Sequence, residues 1–472
     1  TNLAVEQLSA DSRNIKKNGL YCAIQGLKTD GHSYINKAIE SGAIAIVCEQ
    51  LPEQQDPKIT YVRVRNSRQA WAWMAANFYD HPSHKLKLVG ITGTNGKTSV
   101  ATGLYQLFSH MGYQTGLIST VENKIANTSV PATHTTPDAL GLNQLLEEMV
   151  TAGITYCFME VSSHALDQAR VEGIQFTGAI FTNISHDHLD YHKTMENYIR
   201  AKKQLFDMLP EESWALVNVD DKRGRVMLQN CKAKDQKGFA LMQATDFKGK
   251  IIENLLGGLF MSFNQTEVST QFTGSFNAYN LLAIFGAARL MGKETQHVLT
   301  TLSTLKPPPG RFQTISIPTG AAAIVDYAHT PDALESVLQT LKETMSGQGR
   351  ILCVIGCGGD RDPSKRPIMG KIAAGLSHKA ILTSDNPRSE DPVKIIEEMQ
   401  EELSIEEKIK CLTIPARQEA ISAACRLAEP GDVVLIAGKG HETYQEINGE
   451  RHHFDDVEEV KRAFGLLNSK ED

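Results

Sequence analysis

The stretch GITGTNGKTS, at residues 90–99, constrains the fold of this chain more than any other. The apolar run KLVGITG leads into its glycines, and after them apolar residues recur with helical spacing from Val100 to Met111. Glycines between a strand and a helix let backbone N–H groups approach phosphate oxygens, and the helix N-terminus attracts the same negative charge. The sequence therefore predicts a phosphate-binding loop in an α/β domain.

Two side chains of this loop have predicted roles. Lys97 is placed to reach the β- and γ-phosphates of a nucleotide, and Thr98 is placed to bind Mg²⁺. The loop departs by one residue from the strict pattern GxxxxGK[ST], because that pattern puts a glycine at Ile91, whereas the glycine is Gly90. The strand before the loop and the helix after it still favour nucleotide binding.

Changes of pattern along the chain predict three α/β domains. Residues 1–85 form a small domain of short apolar strands, which ends in the linker-like YDHPSHK. Residues 86–309 alternate strands and helices around the phosphate-binding loop, and residues 310–472 repeat that alternation as a second parallel-sheet, Rossmann-like domain. The segment KPPPGRF (306–312) separates the last two domains, because consecutive prolines suit neither a helix nor a central strand.

Composition and charge exclude several classes of function. The formal net charge of −7 argues against nonspecific binding to nucleic acid or to an anionic membrane, so any anionic ligand must be held by local sites. No apolar run approaches the roughly 20 residues that cross a bilayer, and the first residues lack a secretory pattern, so we expect a cytoplasmic protein. The eight scattered cysteines form no CxxC pair and predict reduced, buried thiols.

Unusual polar residues directly follow most of the predicted strands. Open α/β sheets bind ligands at the carboxyl ends of their strands, so these residues predict an active-site rim built from two domains. Glu160 ends the strand ITYCFMEV, and a segment with three histidines follows the next strand. Later strands are followed by Asp326 and His329, by GCGGDRDPSKRP (356–367) with a possible anion site at Arg361, Lys365 and Arg366, by DNPR (385–388) and by GKGHE (438–442).

Some of these residues have simpler explanations. Glu160 could cap the helix that SSH begins, instead of supplying an oxygen ligand to Mg²⁺ opposite Thr98. The spacing HxHxxxH (186–192) could suggest zinc, but it is not a usual zinc pattern and carboxylates are interspersed, so a solvated helix start is an alternative. Pro331 suits the first turn of a helix, whereas Asp326 and His329 are not needed for that turn.

Taken in order, the motifs resemble those of the Mur ligase family of ATP-dependent amide-forming enzymes. The resemblance runs along the whole chain, from DSR (11–13) through GTNGKTS, EVSSHAL, NISHDHLDYH, RAK, GSFNAYN, PGRF, DYAHTPDAL and GCGGDRD to DNPR and GKGHE. It implies an N-terminal domain that binds a uridine nucleotide, a central domain that binds ATP and a C-terminal domain that binds the incoming amino acid.

The sequence DNPR (385–388) indicates which amino acid the enzyme is expected to add. Within the family it marks members that add meso-diaminopimelate to the D-Glu carboxylate of UDP-MurNAc-L-Ala-D-Glu in peptidoglycan precursor synthesis. Diaminopimelate is lysine with an additional distal carboxylate, which the guanidinium of Arg388 can hold through two hydrogen bonds. With lysine bound, Arg388 would be desolvated without a partner. The matching contacts to this amino acid are Arg361, Asp385, Asn386, Pro387, Arg388, Gly438 and Glu442.

The resemblance also implies the remaining substrate contacts. His134 occupies a position where some relatives carry Asn. ATP is expected at Gly93, Thr94, Asn95, Gly96, Lys97, Thr98, Ser99, Asn277, Asn280, Arg311 and Asp326. The muramoyl-dipeptide nucleotide is expected at Ala10, Ser12, Leu27, Lys28, Thr29, His134, Thr135, Thr136, Ser162, Gln168 and Arg170.

The cofactors that the resemblance implies are Mg²⁺, ATP as a co-substrate, and a carbamate derived from CO₂. The Mg²⁺ ligands are matched by Thr98, Glu160, His188 and Lys202. Lys202 matches the family lysine that becomes N6-carboxylysine. A plain ammonium would repel Mg²⁺, whereas the carbamate supplies an anionic oxygen.

The implied reaction has two steps. The D-Glu carboxylate attacks the γ-phosphate to give an acyl phosphate and ADP, while Lys97 and Mg²⁺ neutralise the developing charge. The diaminopimelate amine then attacks the activated carbonyl, and phosphate leaves. The expected catalytic residues are Lys97, Glu160, His188 and Lys202, with His329 as a candidate base for the amine. We expect a monomer whose partners are these small molecules.

Three rival interpretations remain. A sibling ligase could use another acceptor, such as lysine or a folylpolyglutamate, but DNPR and DSR argue against it. A P-loop ATPase could do mechanical or nucleic-acid work, but the net charge of −7 disfavours that function. A UDP-muramoyl binding protein without activity would not need the intact Lys97, Glu160, His188 and Lys202.

Overall fold

The structure is a computed structural model that describes residues 3–26, 29–132, 134–316 and 320–466. Two predicted nucleotide contacts, Leu27 and Lys28, lie outside these ranges. Over the described ranges, no helix combines the length and the apolar character that crossing a membrane requires. The eight cysteines are free thiols, and six of them are buried.

Strands and helices alternate along most of the described chain. The strands are β1 (Gln7–Ser9), β2 (Gly19–Cys22), β3 (Ala43–Cys48), β4 (Thr60–Arg63), β5 (Lys87–Thr92), β6 (Thr115–Ile118), β7 (Asn123–Ile125), β8 (Thr128–Val130), β9 (Tyr156–Glu160), β10 (Gly178–Phe181), β11 (Trp214–Asn218), β12 (Asp235–Ala240), β13 (Phe247–Leu255), β14 (Gly258–Phe263), β15 (Thr266–Ser269), β16 (Gln313–Ser316), β17 (Ala322–Asp326), β18 (Ile351–Cys357), β19 (Lys379–Ser384), β20 (Cys411–Thr413), β21 (Val433–Ala437), β22 (Tyr444–Ile447) and β23 (Glu450–His453). The α-helices are α1 (Ile35–Glu40), α2 (Ser67–Phe78), α3 (Lys97–His110), α4 (Ala139–Thr151), α5 (Ser163–Asp167), α6 (Leu189–His192), α7 (Met195–Asp207), α8 (Gly224–Met227), α9 (Ser275–Leu290), α10 (Thr295–Leu302), α11 (Pro331–Met345), α12 (Lys365–Leu376), α13 (Pro392–Gln400), α14 (Ile405–Lys410), α15 (Arg417–Leu427) and α16 (Asp456–Ala463).

The chain forms two compact units. The first contains the residues up to Gly90 together with Gln114–Thr177, and the second contains Ile91–Tyr113 together with the residues from Gly178 onward. The domain boundaries expected after residues 85 and 309 stay predictions.

The first unit is built on two groups of strands. Four parallel strands form a sheet in the order β1-β2-β3-β4. Helix α2 begins where the Asn66 side chain accepts hydrogen bonds from the N–H groups of Arg68 and Gln69, and it buries Trp71 against this sheet. In the second group, β6 pairs in parallel with β9, and β7 and β8 extend it as antiparallel strands.

The central part of the second unit is a mixed sheet, which differs from the expected parallel one. Strands β10 to β13 pair in parallel, but β13, β14 and β15 are antiparallel neighbours. The reason is local, because Asn264 and Gln265 join β14 to β15 with φ of 44° and 77°. Such a two-residue turn with positive φ can connect only antiparallel strands.

The C-terminal part of the second unit is a six-stranded sheet in the order β16-β17-β21-β18-β19-β20. All its pairs are parallel except β16 with β17. Residues alternate between its two faces: Cys353 and Ile355 pack with α11, α12 and α13, whereas Leu352 and Val354 pack with α15 and α16. This order places the carboxyl ends of β17, β21, β18 and β19 side by side, and the motif loops follow them.

Candidate active site

The phosphate-binding loop of the second unit depends on two glycines. Gly93 and Gly96 have φ of 153° and 87°, a region that other residues avoid. A Cβ at Gly93 would collide with the Thr182 hydroxyl, and one at Gly96 would collide with the amide oxygen of Asn280. The loop can therefore keep this shape only with glycine at both positions, and α3 begins directly after it.

Two lysines converge on one carbonyl oxygen of this loop. The Lys97 ammonium donates to the carbonyl oxygens of Gly93 at 3.0 Å and Thr94 at 2.8 Å. Lys202, on α7, donates to the same Gly93 oxygen at 2.7 Å and is 1% exposed. Burial and the charge of Lys97 hold the pKa of Lys202 well below its ordinary value, although Asp187 opposes them. Both effects favour the neutral amine, which is the form that reacts with CO₂.

Asp187, His188 and Tyr198 lie near these lysines. Although burial raises the pKa of Asp187, the charges of His188, His329, Lys365 and Lys97 lower it overall. His188 precedes α6 with φ of 56°, and its Nε2 lies 3.3 Å from Asp187 Oδ2. The Tyr198 ring lies 4.5 Å from the Lys202 nitrogen, and its hydroxyl is 3.1 Å from that of Thr94. The sequence did not assign a role to Asp187 or Tyr198.

The residues expected to bind Mg²⁺ fit that ion only in part. Nowhere in the described ranges do three His, Cys, Asp or Glu side chains converge as a metal site. In the second unit, the Thr98 hydroxyl accepts a hydrogen bond from Arg311 at 3.1 Å, and Lys202 is an amine. Mg²⁺ needs few protein ligands when it binds with nucleotide phosphates, but it prefers oxygen, and of Thr98, His188 and Lys202 in the second unit only Thr98 supplies an oxygen atom.

Glu160, the other expected ligand, lies in the first unit. Its side chain is fully buried, and its two carboxylate oxygens accept hydrogen bonds from the N–H and the hydroxyl of Thr120 at 2.8 and 3.2 Å. It does not cap α5, because Ser162 accepts the hydrogen bond from Ala165 N–H there. The alternative explanation of Glu160 as a helix cap is therefore wrong.

Other residues expected to bind ATP also lie together in the second unit. The Asn95 amide donates to Asp332, on α11, at 3.1 Å. Arg311 stacks 4.4 Å above the Tyr327 ring. Asp326 accepts from the N–H of Phe312 at 2.6 Å, and burial raises its pKa although Arg311 opposes the shift. On α9, Asn280 adjoins Gly96, while the Asn277 amide donates to the Thr273 carbonyl.

His329 and His441 flank the Tyr327 ring, with centroid distances of 4.6 and 5.0 Å. Burial is the main reason why the pKa of His329 falls to about 4 and that of His441 to about 3. Nδ1 of His329 lies 2.9 Å from the Tyr327 carbonyl oxygen, so the neutral ring carries its proton on Nδ1. Its Nε2 can then accept a hydrogen bond.

The residues expected to bind diaminopimelate meet at the ends of β19 and β21. The Asn386 amide donates to Glu442 at 2.8 Å, and the buried Lys439 ammonium donates to Asn386 at 3.1 Å and to Glu442 at 3.2 Å. Burial and the charge of Asp385 raise the pKa of Glu442, while Lys439 opposes them. A Cβ at Gly438 would lie 2.7 Å from an Asp385 carboxylate oxygen. This arrangement, called the acceptor pocket below, consists of Asp385, Asn386, Arg388, Gly438 and Glu442.

Arg388 has a left-handed backbone, with φ of 51°. Its N–H donates to the Glu446 carbonyl at 3.0 Å, and its Nη1 donates to the Gly359 carbonyl at 2.6 Å. Pro387 precedes it, and the Pro387 carbonyl accepts a hydrogen bond from Glu390 N–H. Arg361 is exposed in the neighbouring loop. The guanidinium of Arg388 therefore lies at the glycine-rich loop that follows β18.

Two buried arginines have structural roles that the sequence did not identify, and Arg417 is the one that contacts the strand ends leading into the acceptor pocket. Arg417 binds Asp456 through two hydrogen bonds of 2.8 and 2.7 Å, and both side chains are fully buried. It also donates to the carbonyl of Ala437 at 3.0 Å and approaches that of Ser384 at 3.5 Å. Arg366 is not an anion site, because it is buried and paired with Glu390 and Glu398 at 2.9 and 2.7 Å.

The first unit contains a cavity of about 530 Å³. Arg170, at its wall, donates to the Thr136 carbonyl at 2.9 Å and to the Gln168 side chain at 2.8 Å. Of the residues expected to bind the uridine nucleotide, neither Ser12, which is buried, nor Thr29, which is exposed, lines it. Thr135, Thr136 and Ser162 lie in the hydrogen-bond network around Glu160. The cavity is lined by the expected Ala10, His134, Gln168 and Arg170 and by unexpected residues that include Asp11, Arg68 and Trp71.

Family sequence profiles match three consecutive parts of the chain. The profile of the Mur ligase family catalytic domain matches residues 4–79. That of the Mur ligase middle domain matches residues 91–288, and that of the Mur ligase glutamate ligase domain matches residues 310–440. The three matches follow the order of the predicted domains.

Whole-chain relatives are also similar. A Bacteroides fragilis protein named UDP-N-acetylmuramoyl-L-alanyl-D-glutamate--2,6-diaminopimelate ligase is 51% identical over 465 residues, covering 98% of this chain and 96% of that protein. A solved structure of a ligase with that name has a TM-score of 0.69 at 34% identity, covering 98% of this chain and 94% of the other. The Thermotoga maritima folylpolyglutamate synthase has a TM-score of 0.59 at 16% identity, covering 79% and 89%, so it shares the fold alone.

Proposed function

This chain belongs to the Mur ligase family, and from that premise we infer that it adds meso-2,6-diaminopimelate to UDP-MurNAc-L-Ala-D-Glu with the conversion of ATP to ADP and phosphate. The acceptor pocket is the observation that carries this inference. Asp385 and Glu442 can bind ammonium groups, and Arg388 can bind the distal carboxylate through two hydrogen bonds. The pocket thus offers carboxylates to the ammonium groups of the amino acid and a guanidinium to its distal carboxylate.

The second unit supports the activation of the D-Glu carboxylate. Lys97 and the loop N–H groups would hold the phosphates of ATP, and Arg311 lies beside Thr98 to bind the same anion. Bound Mg²⁺, held by Thr98, His188 and carbamylated Lys202, would neutralise phosphate charge. Carbamylation joins the Lys202 nitrogen to the carbon of CO₂ and releases one proton. The anionic carbamate would attract the Lys97 ammonium, which a neutral amine does not.

His329 would act as the base of the second step, because its imidazole is neutral and its Nε2 can take the proton that the attacking amine loses. Burial weakens this base, and the negative charge of bound phosphates would strengthen it. The nitrogen then bonds to the carbonyl carbon of the acyl phosphate, and the bond from that carbon to the phosphate oxygen breaks. Glu442 and Asn386 would orient the amino acid during this step.

We also propose roles for the predicted domains. Residues 1–85 would bind the uridine nucleotide, residues 86–309 would bind ATP, and residues 310–472 would bind the amino acid. The cavity of the first unit supports the first of these roles in part, since Ala10, Asp11, Arg68 and Trp71 line it. Its wall is completed by His134, Gln168 and Arg170, which lie within residues 86–309, and Arg170 suits a diphosphate or a carboxylate. The enzyme would act in the cytoplasm as a monomer on these small molecules.

The direct test is phosphate release with ATP, Mg²⁺ and UDP-MurNAc-L-Ala-D-Glu, with meso-diaminopimelate or L-lysine in parallel. We expect release with diaminopimelate and little with lysine, and no release when the muramoyl-dipeptide nucleotide is omitted. Equal release with lysine would retain the ligase and refute the role of Arg388. No release with either amino acid, in bicarbonate-containing buffer, would refute the proposed reaction.

A further inference from the structure

Backbone N–H and carbonyl groups of the hairpin of β22 and β23 form hydrogen bonds with Asn386 and Arg388, in the loop that follows β19. The N–H of Glu446 donates to the Asn386 side chain at 3.0 Å, and the N–H of Arg388 donates to the Glu446 carbonyl at 3.0 Å. Asn448 N–H also donates to the Arg388 carbonyl at 2.7 Å. Glu446 is thus fixed between two residues of the acceptor pocket, and its side chain must remain close to them.

The carboxylate of Glu446 faces the arginine proposed to bind the distal carboxylate. Its Oε2 lies 3.8 Å from Arg388 Nε and 4.0 Å from Arg451 Nε. The side chains of Arg388 and Glu446 are only 19% and 24% exposed, so solvent screens this pair incompletely. Arg388 therefore has a negative charge beside it without any ligand.

We propose that Glu446 is a specificity-determining residue, an internal counter-ion that lowers the preference of the pocket for an amino acid with a distal carboxylate. The proposal rests on the proposed function, because it assumes that Arg388 receives that carboxylate. A ligand carboxylate at Arg388 is repelled by Glu446, whereas lysine leaves an Arg388 that Glu446 already neutralises. Glu446 thus reduces the difference in kcat/KM between diaminopimelate and lysine. It also weakens the binding of diaminopimelate and so speeds its release.

The test is the isosteric substitution Glu446→Gln, which keeps both backbone hydrogen bonds and removes the charge. We expect kcat/KM for meso-diaminopimelate to rise about three- to tenfold, mainly through a lower KM, because one like charge within several ångströms is removed. For lysine, kcat/KM should be unchanged or lower. The gain should shrink in high salt, since the pair is partly exposed.

Two controls separate this effect from structural ones. Glu450→Gln changes a carboxylate on the same hairpin whose side chain is 80% exposed, and it should leave both substrates unaffected. In an Arg388→Met background, Glu446→Gln should no longer raise the rate with diaminopimelate.

A fall in kcat/KM for diaminopimelate, or an unchanged ratio of diaminopimelate to lysine, would overturn the inference. The rate of the unsubstituted enzyme with diaminopimelate tests the proposed function separately, because the inference concerns the ratio of variant to parent. Calorimetry of diaminopimelate binding to the parent and to the variant compares their dissociation constants without turnover.

Discussion

In the proposed function, single residues would decide which amino acid the acceptor pocket binds, and Arg388 is central among them. Its left-handed backbone, which costs on the order of 1 kcal/mol for such a residue, is held by hydrogen bonds to Glu446 and Asn448. The side chain is thereby directed to the Gly359 carbonyl at the end of the pocket. The strained backbone thus positions the group that is proposed to recognise the ligand.

The substitution Arg388→Met should lower kcat/KM for meso-diaminopimelate by about 10- to 100-fold. A hydrogen-bonded charge contributes roughly 1.5–3 kcal/mol, and that contribution is lost only for the ligand with a distal carboxylate. Steady-state kinetics with diaminopimelate and lysine measure the change. Arg451→Met is the matched control, because its side chain is 64% exposed, and it should preserve the preference. A parallel loss with both amino acids would indicate a folding defect.

The buried imidazole of His441 should make stability depend on pH. Its pKa in the folded state is about 3, because of burial and then Arg311, whereas the unfolded value is 6.5. Below pH 6.5 the unfolded chain therefore binds a proton that the folded chain does not, and stability falls as the pH falls towards 3. Between pH 7 and 5 this loss is about 1–2 kcal/mol.

Thermal melting of His441→Gln between pH 7 and 5 tests this linkage. The variant should lose less stability than the parent over that interval, although His329 adds a similar effect in both proteins. His452→Gln, at an exposed position of the hairpin, should keep the slope of the parent. Equal slopes for the parent and His441→Gln would contradict the prediction.

At the scale of elements, one glycine precedes α3 and another follows it. The two have nearly equal φ angles but different surroundings. Gly96 before it has φ of 87°, and Gly112 after it has φ of 86°. A Cβ at Gly96 would strike Asn280, whereas one at Gly112 would point into open space among the described residues. The positive φ, which would strain any other residue, is common to both sites, but only Gly96 lies in the proposed phosphate-binding loop.

Alanine at each site separates these contributions. Gly96→Ala and Gly112→Ala should each lose about 1–2 kcal/mol of stability, because alanine resists positive φ. Only Gly96→Ala should also raise the KM for ATP, by an order of magnitude or more, since its loop must move away from Asn280. Chemical denaturation and ATP kinetics measure the two effects. Similar ATP kinetics in both variants would show that the collision is relieved without cost.

Local sequence patterns predicted the elements well where glycine or proline restricts the backbone of a short segment. The glycines of GTNGKTS predicted the loop before α3, and the prolines of KPPPGRF predicted the segment between α10 and β16 that is neither helix nor strand. The antiparallel strands β13 to β15 were missed, because Asn264-Gln265 is a less obvious turn than Asn-Gly. The supporting roles of Lys439 and Arg417 were missed, because Asn386 and Asp456, with which they pair, are distant from them in sequence. Arg366 illustrates the opposite error. The sequence suggested an anion site at this basic residue after a glycine-rich loop, but Arg366 is buried and paired with Glu390 and Glu398.

At the scale of the whole molecule, the path of the chain joins its two units. It passes between them at Gly90–Ile91, Tyr113–Gln114 and Thr177–Gly178, and the first passage lies inside β5. Unfolding either unit would therefore disrupt a strand whose residues belong to both. Cooperative unfolding of the entire chain is expected from this connectivity.

Scanning calorimetry should show one transition that either ligand shifts. A magnesium complex of a nonhydrolysable ATP analogue at 100 times its Kd should add about 2.7 kcal/mol, and the muramoyl-dipeptide nucleotide should do the same. Lys97→Met should remove the response to the ATP analogue alone. Two transitions, each responding to one ligand, would contradict the prediction of a single cooperative unit.

The pair of Arg417 and Asp456 has a consequence for the gene as well as for the protein. A stop codon just before position 456 would delete α16, yet it would remove none of the residues proposed to touch a substrate. Arg417 would keep its contact with the strand end at Ala437 and lose the carboxylate that neutralises it. An uncompensated buried charge costs about 3–5 kcal/mol. A late truncation that spares every expected active-site codon should therefore behave as a null allele.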